Sequence, residues 1–215
     1  IVFDFDGVIV ESNQIKNMAF NDIFKDYPEH NEIMAYHFAH NAVDRYQKFH
    51  DIAKNILRIK RDTKGFEEGW ANLFRELTRT KIISCPFVEG AKAFLDYIKE
   101  KKMRAYLASA TPQDELEIIL QARGLNSYFE KTFGSPIVKS NVLKQILIEG
   151  GYQPEQLLFI GDSREDQKSA MQAGVSFVGR ISDFKFEGVP AFGNLMEIFG
   201  VFKTGGQFEL FGSAL

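Results

Sequence analysis

Six side chains, spread from one end of the 215-residue chain to the other, have the types and spacing to share one reaction. Asp4 and Asp6 flank Phe5 and are followed by Gly7; Ser109, Lys139, Asp162 and Asp166 come later. Two carboxylates one residue apart at a strand end can both point into a cleft beyond the sheet. One can attack phosphorus while the other handles a proton. Two such anions repel a phosphate dianion, so the chemistry calls for a divalent cation and a lysine. Asp162 is the kind of hard oxygen ligand that Mg2+ prefers. Ser109 can hydrogen-bond a phosphate oxygen, and Lys139 can do so with charge assistance. Gly7 allows a tight turn out of the strand.

These residues need a scaffold that gathers them. Ile1-Val2-Phe3 is a short apolar run leading into the acids, which reads as a buried strand with chemistry at its carboxyl end. From Pro86 onward, strands and helices alternate. Strands are expected around Arg104–Ala108, Phe133–Gly134, Leu157–Ile160 and Ser176–Val178, the third central because it holds no polar residue. Helices are expected to end at Gly124, at Gly150-Gly151 and at Gly174. That alternation predicts an α/β fold, a Rossmann-like parallel sheet in which every strand's carboxyl end faces one edge. Between about Ile15 and Thr80 the apolar residues recur at helical spacing with no convincing strand, so this stretch reads as a helical insertion. The expected division is a core of 1–14 and 85–215 with an inserted helical cap at 15–84. The tail from about Gly200 to Leu215 has no clear period and could be a hairpin, a docking segment or a mobile end.

In this order the motifs resemble those of the haloacid dehalogenase (HAD) superfamily. Asp4-Phe5-Asp6-Gly7-Val8 is similar to the first motif, Leu107-Ala108-Ser109-Ala110 to the second, Lys139 to the third, and Gly161-Asp162 through Asp166 to the fourth. The resemblance covers most of the chain. The helical insertion resembles the C1 cap of the phosphoglycolate phosphatase and β-phosphoglucomutase branch. It implies that Asp4 forms an aspartyl-phosphate and that Asp6 protonates the leaving group and then activates water. It implies Mg2+ held by Asp4 and Asp162 side chains and the Asp6 backbone carbonyl, with Asp166 ligating through water or orienting its neighbours. Ser109, Ala110 and Lys139 would bind the phosphate. Asp6 further separates the chain from true dehalogenases and phosphonate hydrolases, which lack this acid, and from P-type ATPases, which carry Thr there. The activity implied is hydrolysis of a small phosphomonoester, with a sugar phosphomutase as the alternative and a non-catalytic binding domain as a distant third, since no motif is broken.

Cap residues are expected to set specificity. Arg45 and Lys48, in the polar stretch Asn41 to Lys48, are candidates to contact an anionic or hydroxylated leaving group. The competing reading makes them solvated helix-face charges. The other candidates have plainer readings too: Asp4 and Asp6 as loop acids, Ser109 as a helix cap, Lys139 as a surface lysine and Asp166 as an early-helix acid. His37 and His40, three apart, have a chelating spacing, but no further ligand completes a zinc site, and partly exposed cap histidines are expected.

Bulk properties set outer limits. A net charge of −3 gives no basic footprint, so nucleic acid is not an expected partner. The 21 Phe are expected to fill cores. The single cysteine, Cys85, reads as structural and fits a reducing, cytoplasmic setting. No apolar run approaches the roughly 20 residues that span a bilayer, and no signal peptide is visible. Ile1 in place of Met leaves room for residues upstream. The oligomeric state is not readable.

Overall fold

The computed structural model describes residues 1–40 and 43–205. Its centre is a short strand, β1 (Val2–Phe3), buried on both faces and therefore apolar without alternation. Five more strands, β2 (Tyr106–Pro112), β3 (Lys131–Ser135), β4 (Leu158–Gly161), β5 (Ser176–Arg180) and β6 (Ala191–Phe192), complete a parallel sheet of order β3-β2-β1-β4-β5-β6. Val2 registers with Tyr106 on one side and Phe159 on the other. The chain winds outward from β1 through β2 to β3, then crosses to β4 and winds the other way. The β1/β4 border is thus a topological switch point, where a crevice opens at the strands' carboxyl ends.

Helices α5 (Ala91–Glu100), α6 (Gln113–Ala122) and α9 (Leu195–Lys203) cover one sheet face, packing on Phe3, Leu107, Ile160 and Val178. Helices α7 (Lys139–Gly150) and α8 (Arg164–Ala173) cover the other, over Val2, Phe159 and Phe177. Gly151 and Gly174 close α7 and α8 in the left-handed conformation, at φ 63° and 72°, as the sequence leads one to expect.

Between β1 and α5 the chain forms α1 (Asn13–Phe24), α2 (His30–Ala39), α3 (Arg45–Asp51), a π-helical turn (Ile52–Ile56) and the long α4 (Lys64–Ser84). These helices enclose an aromatic core of their own, with Phe20, Phe24, Phe49, Trp70 and Phe74. The strands of chain that leave and re-enter the sheet lie side by side. Val10 bridges antiparallel to Phe87, Glu11 N–H donates to the Pro86 carbonyl at 3.0 Å, and Val88 N–H to that of Ile9 at 3.1 Å.

Two details differ from the sequence reading. Strand β2 runs on to Pro112, with an irregular register between Ala108 and Pro112, so Ser109 lies within a strand rather than after it. The start of the presumed tail, up to Lys203, belongs to α9; residues 206–215, like Asn41 and Ala42, lie outside the described residues.

Candidate active site

Four of the predicted residues meet at the β1/β4 border. Asp4 at the end of β1, and Asp162 and Asp166 after β4, place carboxylate oxygens within 4.8 Å of one another, all buried. Lys139, at the start of α7, reaches into this group: its Nζ is 2.9 Å from Asp4 Oδ1 and 2.6 Å from Asp166 Oδ1. The second oxygen of Asp166 is held by the turn it belongs to, accepting from Ser163 Oγ at 2.6 Å and from Ser163 N–H at 3.2 Å. Ser163 in turn accepts from Asp166 N–H at 3.1 Å, a reciprocal cap that starts α8. Asp166 thus orients both the lysine and the loop carrying Asp162.

One ammonium among three buried carboxylates leaves an anionic excess, and the carboxyls respond. Burial pushes Asp4 well above the ordinary range against the pull of Lys139, helped by Asp166, Asp162 and Asp6. Asp162 is pushed up to about 6 by burial and by Asp166, although hydrogen bonds from Asn13 Nδ2 (2.6 Å) and Ser182 Oγ (2.8 Å) and the Lys139 charge oppose this. Burial pulls the Lys139 ammonium down, but Asp166 and Asp4 more than offset it and hold it above the ordinary lysine range. A tight set of hard oxygen donors with uncompensated charge fits Mg2+.

Gly7 is required here twice over. Its φ is 72°, and a Cβ there would overlap Asp162 Oδ2 and Asn13 Nδ2.

Asp6 faces a different set of partners. Its Oδ1 accepts from Ser12 Oγ at 2.6 Å; its Oδ2 lies 2.5 Å from Lys16 Nζ and accepts from Thr111 Oγ1 at 3.1 Å and Ser109 Oγ at 3.4 Å. Burial pushes this carboxyl up, yet Lys16 and the hydrogen bonds from Lys16, Ser12 and Thr111 hold it below the usual range. Two aspartates one residue apart therefore occupy opposite electrostatic settings. Ser109 also accepts from Thr111 N–H at 3.1 Å, which fixes its hydroxyl beside Asp6. A cavity of about 290 Å³, walled by Asp4, Asp6, Ala110, Lys139 and Asp162, opens over these groups.

Sequence reading missed Ser12, Asn13, Lys16, Thr111 and Ser182. The available signal is position: Ser12 and Lys16 lie one helical turn apart directly after the first motif, and Thr111 lies two residues beyond Ser109.

For Arg45 and Lys48 the plainer reading fails. Neither is a solvated helix charge, since both are buried. Arg45 does not itself wall the carboxylate cavity. Its Nη1 sits 2.9 Å from Oε2 of Glu115 on α6, with 6% and 1% of the two side chains exposed, and its guanidinium lies 4.7 Å from the Phe74 ring centre. The contact is an ion pair without sound hydrogen-bond geometry. It ties α3 to the sheet layer. Lys48 approaches His37 Nδ1 at 3.4 Å and lies 5.3 Å from the Phe20 ring centre; burial and nearby Lys16 push it down to about 7. Both residues line a small cavity of about 50 Å³ that adjoins the carboxylate cavity at Asn13, Lys16 and Ala110.

His37 is likewise buried, not partly exposed. It stacks on Phe20 at 3.9 Å between ring centres and lies 2.9 Å from Asn17 Oδ1. Burial and the nearby charges of Lys48 and Lys16 push it down to about 2, so it is a neutral core residue. His40 stacks on Tyr36. Cys85 is buried, and its thiol is raised by burial, the state of an inert packing residue.

The family model for haloacid dehalogenase-like hydrolases matches residues 1–180. The chain belongs to this family. The chain is 23% identical over 182 residues to a phosphoglycolate phosphatase of Synechococcus elongatus, covering 81% of this chain and 80% of that protein. It is 23% identical over 190 residues to a phosphorylated carbohydrates phosphatase of Thermotoga maritima, covering 81% of each. The fold is similar to that of CbbY from Rhodobacter sphaeroides, solved in complex with phosphate, with a TM-score of 0.70, 17% identity and coverage of 92% and 94% of the two chains. The curated relatives are phosphatases, and the chain is a hydrolase of the phosphatase kind. Among the described residues no helix is long and apolar enough to cross a membrane.

Proposed function

We propose that this hydrolase cleaves small phosphomonoesters, sugar phosphates among them, by passing the phosphoryl group to Asp4 and then to water. The observation that carries the reading is the opposite placement of Asp4 and Asp6: one among carboxylates and Lys139, the other among Lys16 and three hydroxyls. An Asp4 oxygen attacks phosphorus and the ester oxygen leaves, taking a proton from Asp6. Asp6, now ionised, takes a proton from water as that water attacks the aspartyl-phosphate, freeing orthophosphate and restoring Asp4. In the resting arrangement Lys16 favours ionised Asp6, the form that activates water; the acid half of the cycle requires a proton to reach Asp6 first. Ser109, Ala110 and Lys139 would bind the transferring phosphate. Asp4, Asp162, the Asp6 backbone carbonyl and Asp166, directly or through water, would hold Mg2+, which supplies the positive charge that offsets phosphate and carboxylates.

We further take residues 15–84 as a cap over a core of 1–14 and 85–215, closing on the substrate to exclude water. A small phosphorylated metabolite is supported by the relatives' names, which specify phosphoglycolate and phosphorylated carbohydrates. A cytoplasmic setting fits the single buried thiol. A sugar phosphomutase is the second reading. It needs a grip for a second phosphate, and the engagement of Arg45 by Glu115 favours hydrolysis.

The test is phosphate release from a panel of metabolite phosphates with Mg2+. Turnover is expected with wild type, lost on adding EDTA, restored by Mg2+ and abolished in Asp4→Asn. Activity that survives Asp4→Asn would refute the mechanism. Faster transfer to a sugar than to water would favour the mutase.

A further inference from the structure

Two aromatic rings from opposite sides of the cleft wall the cavity that holds Asp4 and Asp6. Phe38 comes from the end of α2 and is 52% exposed. Phe184 comes from the segment after β5 on the sheet side. Single exposed apolar residues are ordinary. Here an exposed ring and a half-buried one line the same catalytic cavity from separate layers.

Phe184 is braced from behind. Phe184 meets Phe186 edge-on at 4.9 Å, and Phe186 packs 5.5 Å from the buried Phe177 of β5. The Arg164 guanidinium lies 5.5 Å from the Phe184 ring centre on the same rim. Phe38 neighbours His37 at 5.4 Å, and His37 is stacked on Phe20 in the helical core. Bracing of this kind leaves little ordering cost when a flat group arrives.

The leaving group must sit where Asp6 can reach its oxygen, and Asp6 walls this cavity. The adjoining basic cavity, about 50 Å³, has room for about a water or two and not for a second phosphate. The cavity over Asp4 and Asp6, at about 290 Å³, is at the small end for ligand pockets, and a wider one of about 630 Å³ adjoins it at Ala110, Lys139 and Glu165.

Resting on the phosphatase reading above, we propose that the preferred substrate is a phosphorylated sugar whose alcohol carries a planar ring, as in a nucleoside 5′-monophosphate, with the ring received between Phe38 and Phe184. Aromatic faces accept any flat heterocycle, so the site selects the presence of a ring more than its identity.

The decisive comparison is a nucleoside 5′-monophosphate against ribose 5-phosphate, which share the transferred group and the attached carbon. With Mg2+, kcat/KM for the nucleotide is expected to exceed that for ribose 5-phosphate by about tenfold or more, the scale of one stacked base. Phe38→Ala or Phe184→Ala should bring that ratio near one. Phe38→Tyr should keep it, and so should Met18→Ala, an exposed cap substitution outside the cavity. A wild-type ratio near one, or a ratio unchanged in Phe38→Ala, overturns the proposal while leaving the phosphatase reading intact. If no ester is turned over, calorimetric binding to the Asp4→Asn protein still decides: nucleotide bound about tenfold more tightly than ribose 5-phosphate supports the ring site, and equal binding refutes it.

Discussion

Glu115→Ala tests whether Arg45 is a structural tie or a substrate reader. The substitution leaves the Arg45 guanidinium buried with its charge unpaired, facing only the Phe74 ring among the contacts described for it. Breaking a buried pair by removing one partner costs about 3–5 kcal/mol. For a chain of this length, about 3 kcal/mol lowers Tm by roughly 6–12 °C. Arg45→Ala should cost less, about 2 kcal/mol, because Arg75 Nε remains 3.8 Å from Glu115 and is a third exposed, a weak but real substitute. The double variant Arg45→Met with Glu115→Leu removes both charges and fills similar volume, so its stability should return to within about 1 kcal/mol of wild type. Calorimetric melts of these proteins together with the double variant Arg45→Ala with Glu115→Ala, which closes a double-mutant cycle with the two alanine singles, measure the coupling. A Tm loss under about 2 °C in Glu115→Ala, or a Met/Leu double variant worse than either single, would refute the tie. Activity adds a second arm: if the tie is structural, the Met/Leu double variant keeps kcat/KM, whereas selective loss on the natural substrate would return Arg45 to recognition.

Asp6→Asn should lower kcat by about two to four orders of magnitude, the scale of a positioned acid–base group; a loss under tenfold would move that role elsewhere. Gly7→Ala should weaken Mg2+ activation by about tenfold or more, because the new Cβ displaces Asp162; an unchanged Mg2+ dependence would show that Asp162 is not a ligand. His37 is held at about 2 in the fold against 6.5 for a free side chain, so the unfolded chain gains a proton first as pH falls. Its stabilising contribution is complete above about pH 6.5 and is lost progressively between there and about pH 2, at roughly 1.4 kcal/mol per pH unit. Urea unfolding at pH 7 and pH 5 should therefore show wild type losing about 2 kcal/mol more than His37→Gln; identical losses would mean that His37 is not buried neutral.

The sheet and its catalytic edge were readable because local chemistry and global fold agree there. The polar-free run at Phe159 could only be a buried strand, and Gly151 and Gly174 mark helix ends through backbone need. Asp4, Lys139, Asp162 and Asp166 follow strands directly, so a parallel sheet alone brings them together. What stayed hidden depended on contacts between layers. Lys16 and Ser12 look like any polar start of a helix until α1 is laid against β2. Arg45 advertises a free charge, and its partner Glu115 lies on a helix that belongs to the other layer. His37 carries a spacing that suggests chelation, and only the packing of Phe20 reveals a neutral ring. Periodicity reports which face of a helix is apolar, not which charge waits across the interface.

The paired strands of chain at Ile9–Glu11 and Pro86–Val88 have a consequence for how such an enzyme changes over time. Because departure and return are fastened to each other, the intervening helices leave and rejoin the sheet layer at one place. The helices above could be exchanged, lengthened or replaced as one cassette without shifting the registers of β1 against its neighbours. Such an exchange would carry part of the active site with it, since Asn13 and Lys16 leave with the cassette while Asp6, Asp162 and Glu115 stay.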